Sequence, residues 1–236
     1  MRTLGVVGGT GPESTIEYYR RLIEGFRRRW PDAGAPTIVV FSIDGVRLLD
    51  LLHRNELGEA GDVLVTAVDR LAAAGAQAAV LTSASVHSMF SHIEAAAALP
   101  LISMLSAARD AVRDRNLRRV LLLATRFTAA GAWFHAPFAD TGITLILPDQ
   151  TDQDFIHDRY VTELVAGRIV DSTRDRVLQI VERTREQKGV EGVLLGGTEL
   201  SLLIPHPVIA GMPVLDVTQI HVDAALAWLD PMRPDP

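Results

Sequence analysis

The sequence predicts an α/β protein made of two similar parallel-sheet halves. Three observations lead there. Short apolar runs recur along the chain and are continuous rather than alternating, the pattern of strands covered on both faces. Amphipathic helical stretches separate them. The strand-turn pattern of the first half also returns in the second at an offset of about 116 residues, a loose internal repeat.

The predicted strands are TLGVV (3–7), TIVVF (37–41), AAVLT (78–82), LPLIS (99–103), RVLLLA (119–124), ITLIL (143–147), GVLLGG (192–197) and MPVLD (212–216). The first predicted helix, Glu13–Arg29, follows Pro12, whose fixed φ and missing N–H suit a first helical position. Arg27, Arg28 and Arg29 fall in its last turn, where cations favour the dipole. A second helix, Glu59–Ala74, carries Val63, Val65, Ala67, Val68 and Leu71 and ends near Gly75. A third, Thr173–Gln187, has Asp171 or Ser172 as its N-cap. No Pro/Gly/Ser linker or low-complexity tract divides the chain.

Composition narrows the function. The chain has 236 residues, no cysteine, and a formal net charge of −6. Its Lys and Arg form no stripe able to neutralise phosphates, which argues against nucleic acid. No apolar run reaches the ~20 residues of a membrane span, and MRTLGVV turns directly into a strand, so a cytoplasmic protein is expected. Without cysteine there is neither a thiolate nucleophile nor a cysteine metal ligand. The histidines, among them His135, His157 and His206, show no metal-binding spacing, so no metal is expected. Trp133, Phe134 and Phe138 read as core or a dimer face.

The repeat sets the strand at 78–82 against the strand at 192–196, which pairs Ser83 with Gly197 and Ser85 with Glu199. Ligands of α/β sheets bind beyond the carboxyl ends of strands, so these ends are the expected site. Gly5, Gly8 and Gly11 span the first strand and the turn that opens the first helix. The spacing departs from G-x-G-x-x-G. It can serve a dinucleotide, with Asp32 at the ribose distance, or a tight turn that offers N–H groups to a smaller anion such as a carboxylate.

Several segments resemble the aspartate/glutamate racemase family: GVVGGTGPESTIEYYRR (5–21), LTSASVH (81–87), LLATRFT (122–128), FIHDRYVTELVAGR (155–168), LLGGTEL (194–200) and PVLDVTQIHVDAAL (213–226). They cover nearly the whole chain in the family's order. The resemblance implies two Rossmann-like parallel-sheet domains related by pseudo-twofold symmetry, with the site in the cleft between them. The first domain would comprise 1–106 plus 214–236, and the second 107–213. It also implies a cofactor-independent isomerase, often a homodimer, in which two cysteines act on opposite faces of an amino acid. Here residue-by-residue matching puts Ser83 at the first cysteine, Ala84 at the asparagine after it, and Gly197 at the second cysteine. A serine hydroxyl is a far weaker base than a thiolate unless a neighbour activates it.

The expected catalytic groups are therefore Ser83, His87 and Glu199. The expected substrate-binding residues are Thr10, Ser85, Thr125, Thr128, Gly197 and Thr198, with Arg47 as a planar fork for a distal carboxylate. The ligand would be a small carboxylate or amino acid, handled by thiol-free proton transfer or bond cleavage. An inactive carboxylate-binding or regulatory homologue is the alternative, and a dinucleotide-binding oxidoreductase a weaker one.

Overall fold

A computed structural model describes residues 2–232. The chain runs β1 (Thr3–Gly8), α1 (Pro12–Arg29), β2 (Thr37–Ser42), α2 (Gly45–His53), α3 (Leu57–Ala73), β3 (Ala78–Leu81) and α4 (Phe90–Ala96). It continues through α5 (Met104–Asp114), β4 (Arg119–Leu123), α6 (Arg126–Ala130), α7 (Ala132–His135), β5 (Thr144–Ile146), α8 (Gln150–Arg159) and α9 (Asp171–Lys188). The last elements are β6 (Gly192–Leu195), α10 (Leu200–Leu203), β7 (Val208–Ile209), β8 (Met212–Asp216) and α11 (Val217–Trp228).

Two compact units result: the chain up to Met104 with the chain from His221 on, and Leu105–Ile220. The first has a three-stranded sheet in the order β2-β1-β3, all parallel. The second has the order β5-β4-β6-β8-β7, parallel except for the β7–β8 pair. In both, the unit's first strand is flanked by its second and third, so the repeat in the sequence is a repeat of strand order. The boundary near residue 214 moves to 221, because β8 hydrogen-bonds along β6 and is held by the second sheet.

The continuous apolar runs are the strands with both faces covered. Every residue of β3 and β6 is buried. The first core joins Val7, Leu48, Leu64, Leu71 and Leu81, and the second joins Leu121, Leu195, Ile156 and Ile180. Helix α1 starts at Pro12 and buries Ser14, Tyr18, Leu22, Gly25 and Phe26, a stripe at three- and four-residue spacing. The expected strand at 99–103 is only a bridge: Leu101 pairs with Ala79 through two main-chain hydrogen bonds. Pro100 has no N–H to lengthen the ladder.

Candidate functional site

The first unit's strand ends are shaped by main-chain contacts. Gly9 has φ of +98°, and a Cβ there would lie 2.3 Å from the Ile43 carbonyl oxygen at the end of β2. Only glycine makes this turn so close to a neighbouring strand. The Gly9 N–H donates to Thr15 Oγ1 at 3.0 Å, and Thr15 Oγ1 donates to the Gly11 carbonyl at 3.2 Å. A Cβ on Gly5 would meet Leu71, and one on Gly8 would meet Thr15. These glycines thus have a packing reason that needs no dinucleotide. Thr10 lies half-buried in the same turn.

At the end of β3, Thr82 donates through both its N–H and its hydroxyl to the Val7 carbonyl, each at 3.1 Å, which ties β3 to β1. Ser83 Oγ pairs with Ser85 Oγ at 3.0 Å. His87 lies on the 3₁₀ turn Ser85–Met89 and is buried. Its Nδ1–H donates to the Ser83 carbonyl at 2.9 Å, and its Nε2 accepts the Met104 N–H at 3.3 Å. Only one neutral tautomer satisfies both bonds. Burial lowers its pKa to about 4. The expected base therefore has both nitrogens committed to main chain, and it holds the Ser83 loop rather than its hydroxyl. Beside it, buried His221 donates from Nε2 to the Ile102 carbonyl at 2.7 Å and accepts the Tyr18 hydroxyl on Nδ1 at 3.0 Å.

Arg47 is exposed in the first turn of α2, where its N–H donates to Asp44 Oδ1 at 3.1 Å. It lines a surface cavity of about 470 Å³ with Phe41, Asp44, Glu59 and Asp62, so the other charges around its guanidinium are acidic. Neither Thr10 nor Ser83 lines that cavity.

In the second unit, Thr125 follows β4 and caps α6: its Oγ1 accepts the Thr128 N–H at 3.4 Å and donates to Thr128 Oγ1 at 3.3 Å. At the end of β6 come Gly196, Gly197, Thr198 and Glu199. A Cβ on Gly197 would lie 2.6 Å from Cε2 and 2.7 Å from the hydroxyl oxygen of Tyr160. The space that a side chain at 197 would take is filled by that phenol. The Tyr160 hydroxyl donates to Glu199 Oε2, and the Thr198 hydroxyl donates to the same oxygen at 2.7 Å. Burial, with the Glu199 charge beside it, pushes the Tyr160 phenol well above its usual pKa, so it stays protonated and donates.

Each unit thus carries two hydroxyl-bearing loops beyond neighbouring parallel strands, β1 and β3 in the first and β4 and β6 in the second. A sequence model described as Asp/Glu/Hydantoin racemase matches residues 7–225. The chain belongs to this racemase family. It is similar to a candidate Asp/Glu racemase of Yersinia pestis, 30% identical, with 97% of this chain and 99% of that chain covered and a TM-score of 0.90. It is similar also to an aspartate racemase homologue from Pyrococcus horikoshii OT3, 26% identical over 97% and 99% of the two chains, with a TM-score of 0.86. A Picrophilus torridus aspartate racemase shares the fold at 18% identity, with a TM-score of 0.78 over 97% of this chain and 94% of that one.

Against that family, the site residue that sequence reasoning missed is Tyr160. The signal available was indirect: Gly197 leaves a hole, and FIHDRYVTELVAGR carries a tyrosine, Tyr160, large enough to fill it. Among the described residues, no group of three or more His, Asp or Glu could hold a metal ion, and no helix is long and apolar enough to cross a membrane.

Proposed function

We propose that this racemase-family chain binds a small carboxylate or amino acid at the two strand-end corners and exchanges the proton beside its carboxylate without a thiol. Thr10, Ser83 and Ser85 supply hydroxyl donors from the first unit, and Thr125, Thr128 and Thr198 from the second. Glu199 carries the proton. The reading goes with a cofactor-independent homodimer in the cytoplasm. The observation that supports it best is the Glu199 carboxylate, half-exposed beyond β6, held by two hydroxyls and two residues on from Gly197, the position that matches the family's second cysteine. A carboxylate at the strand end, aligned beforehand, is what proton transfer needs when no thiolate is present.

Incubation in D₂O with L- and D-aspartate, L- and D-glutamate and a panel of other small carboxylic acids tests it by NMR. Deuterium at the α-carbon, lost in Glu199→Gln, is the expected result. Silence across the panel at high protein concentration would refute proton exchange for these compounds. A catalytically inactive carboxylate binder is the second reading, favoured by His87, whose nitrogens are both taken by main chain. Calorimetric binding of a panel compound without deuteration would select it.

A further inference from the structure

Tyr160 sits on a single π-helical turn, Tyr160–Leu164, that follows α8, and the Val165 N–H closes it onto the Tyr160 carbonyl at 3.0 Å. Such turns are rare and concentrate at functional sites. The turn swings the phenol under the β6 loop, against Gly197. The tyrosine is buried, whereas Glu199, which accepts its hydrogen bond, is half-exposed. Three residues from two segments thus form one unit: a glycine with no side chain, a ring in the space this leaves, and a carboxylate held by the ring's hydroxyl. Neither half makes sense alone. A side chain at 197 would displace the ring, and without the ring the glycine would leave a hole beside a charged group.

We propose that Tyr160 is a positioning residue that replaces in space the side chain absent at Gly197, and that its hydroxyl, with that of Thr198, aims the Glu199 carboxylate at the ligand's α-carbon. The inference rests on reading this corner as a proton-exchange site. In the step, the Cα–H bond breaks, its proton bonds to a Glu199 oxygen, and its electron pair stays on the ligand as an enediolate. The protonated carboxyl exchanges with solvent and returns a proton to the same carbon. Tyr160 keeps its own proton throughout.

The test has two arms. The first needs no ligand. In the full-length protein, Gly197→Ala should lower Tm by several degrees, since its Cβ lands within the ring's contact distance. The same substitution added to Tyr160→Ala should change Tm by no more than about 1 °C, because the two sites share one volume. Additive changes would overturn the shared-volume claim. The second arm is α-deuteration. Tyr160→Phe keeps the ring and drops the hydroxyl; it should lower kcat at least ~10-fold with KM within ~3-fold, the pattern of a group acting only in the transition state. Tyr160→Phe exchanging at the parent rate overturns the positioning role alone. No exchange by the parent protein on any panel compound overturns the proton-exchange reading and this inference with it.

Discussion

The rings of His87 and His221 meet edge to face with centroids 6.0 Å apart, and both are buried and neutral in opposite tautomers. His87 carries its proton on Nδ1, facing the Ser83 carbonyl, and His221 on Nε2, facing the Ile102 carbonyl. A second proton on His87 would point at the Met104 N–H, donor against donor. The pair links the Ser83 loop to α1, to the 102–104 segment and to His221 on α11, all residues of the first unit.

Acid should therefore unfold this unit early. In the unfolded chain a histidine titrates near 6.5, whereas burial lowers His87 to about 4 and burial with the neighbouring His87 lowers His221 to about 3. Below about pH 6.5 the unfolded chain takes up protons that the folded one refuses, so stability falls as pH drops and levels off only near the folded values. Above about pH 7 the pair adds no pH dependence. The loss is on the order of 3 kcal/mol for His87. Urea unfolding between about pH 7 and about pH 5 checks it, and a flat profile would contradict the buried neutral pair.

His87→Ala should destabilise by roughly 2–4 kcal/mol, since it removes a buried ring and strands the Met104 N–H. Chemical denaturation measures this. A fully stable variant would mean that the ring is not a structural pin.

Ser83→Ala should raise KM several-fold and leave kcat within ~3-fold, because the Ser83 hydroxyl partners Ser85 rather than a base. For the same reason, deuterium incorporation should run ahead of inversion. The one carboxylate expected to carry the proton lies at the second unit's corner, and a single base returns a proton to the face it took it from. Parallel time courses of α-deuteration and of enantiomer ratio decide this; equal rates would require a second base.

Asp152 is a buried carboxylate that accepts from Arg183 and has Arg176 at 3.5 Å, joining α8 to α9. Both arginines are about a third or more exposed, so solvent screens the pair. Asp152→Ala should cost about 1–2 kcal/mol, read as a lower Tm. Because α8 leads directly into the turn that carries Tyr160, the same variant should also slow α-deuteration.

What could be read beforehand divides along physical lines. The strands at 3–7, 78–82, 119–124 and 192–197 stood out because each buries both faces, which leaves an unbroken apolar run. Helix α1 stood out because Pro12, Glu13 and its terminal arginines mark both ends. LPLIS misled because an apolar run with a proline resembles a buried strand, yet it lacks the donor to pair as one. For Arg47, residue type alone did not show that Asp44, Glu59 and Asp62 share its cavity.

By itself the sequence determined the class of fold and most of its strands, because burial periodicity and turn chemistry act between near neighbours; the family was legible in the resemblance of whole segments. The sequence also determined that no thiol is present and that position 197 offers no side chain. The tertiary structure decided which groups meet. His87 is committed by Met104, 17 residues on, and by its own Ser83 carbonyl. Glu199 is held by Tyr160 from 39 residues away. These pairings depend on where folded backbone brings donors to acceptors over distances that no local pattern encodes.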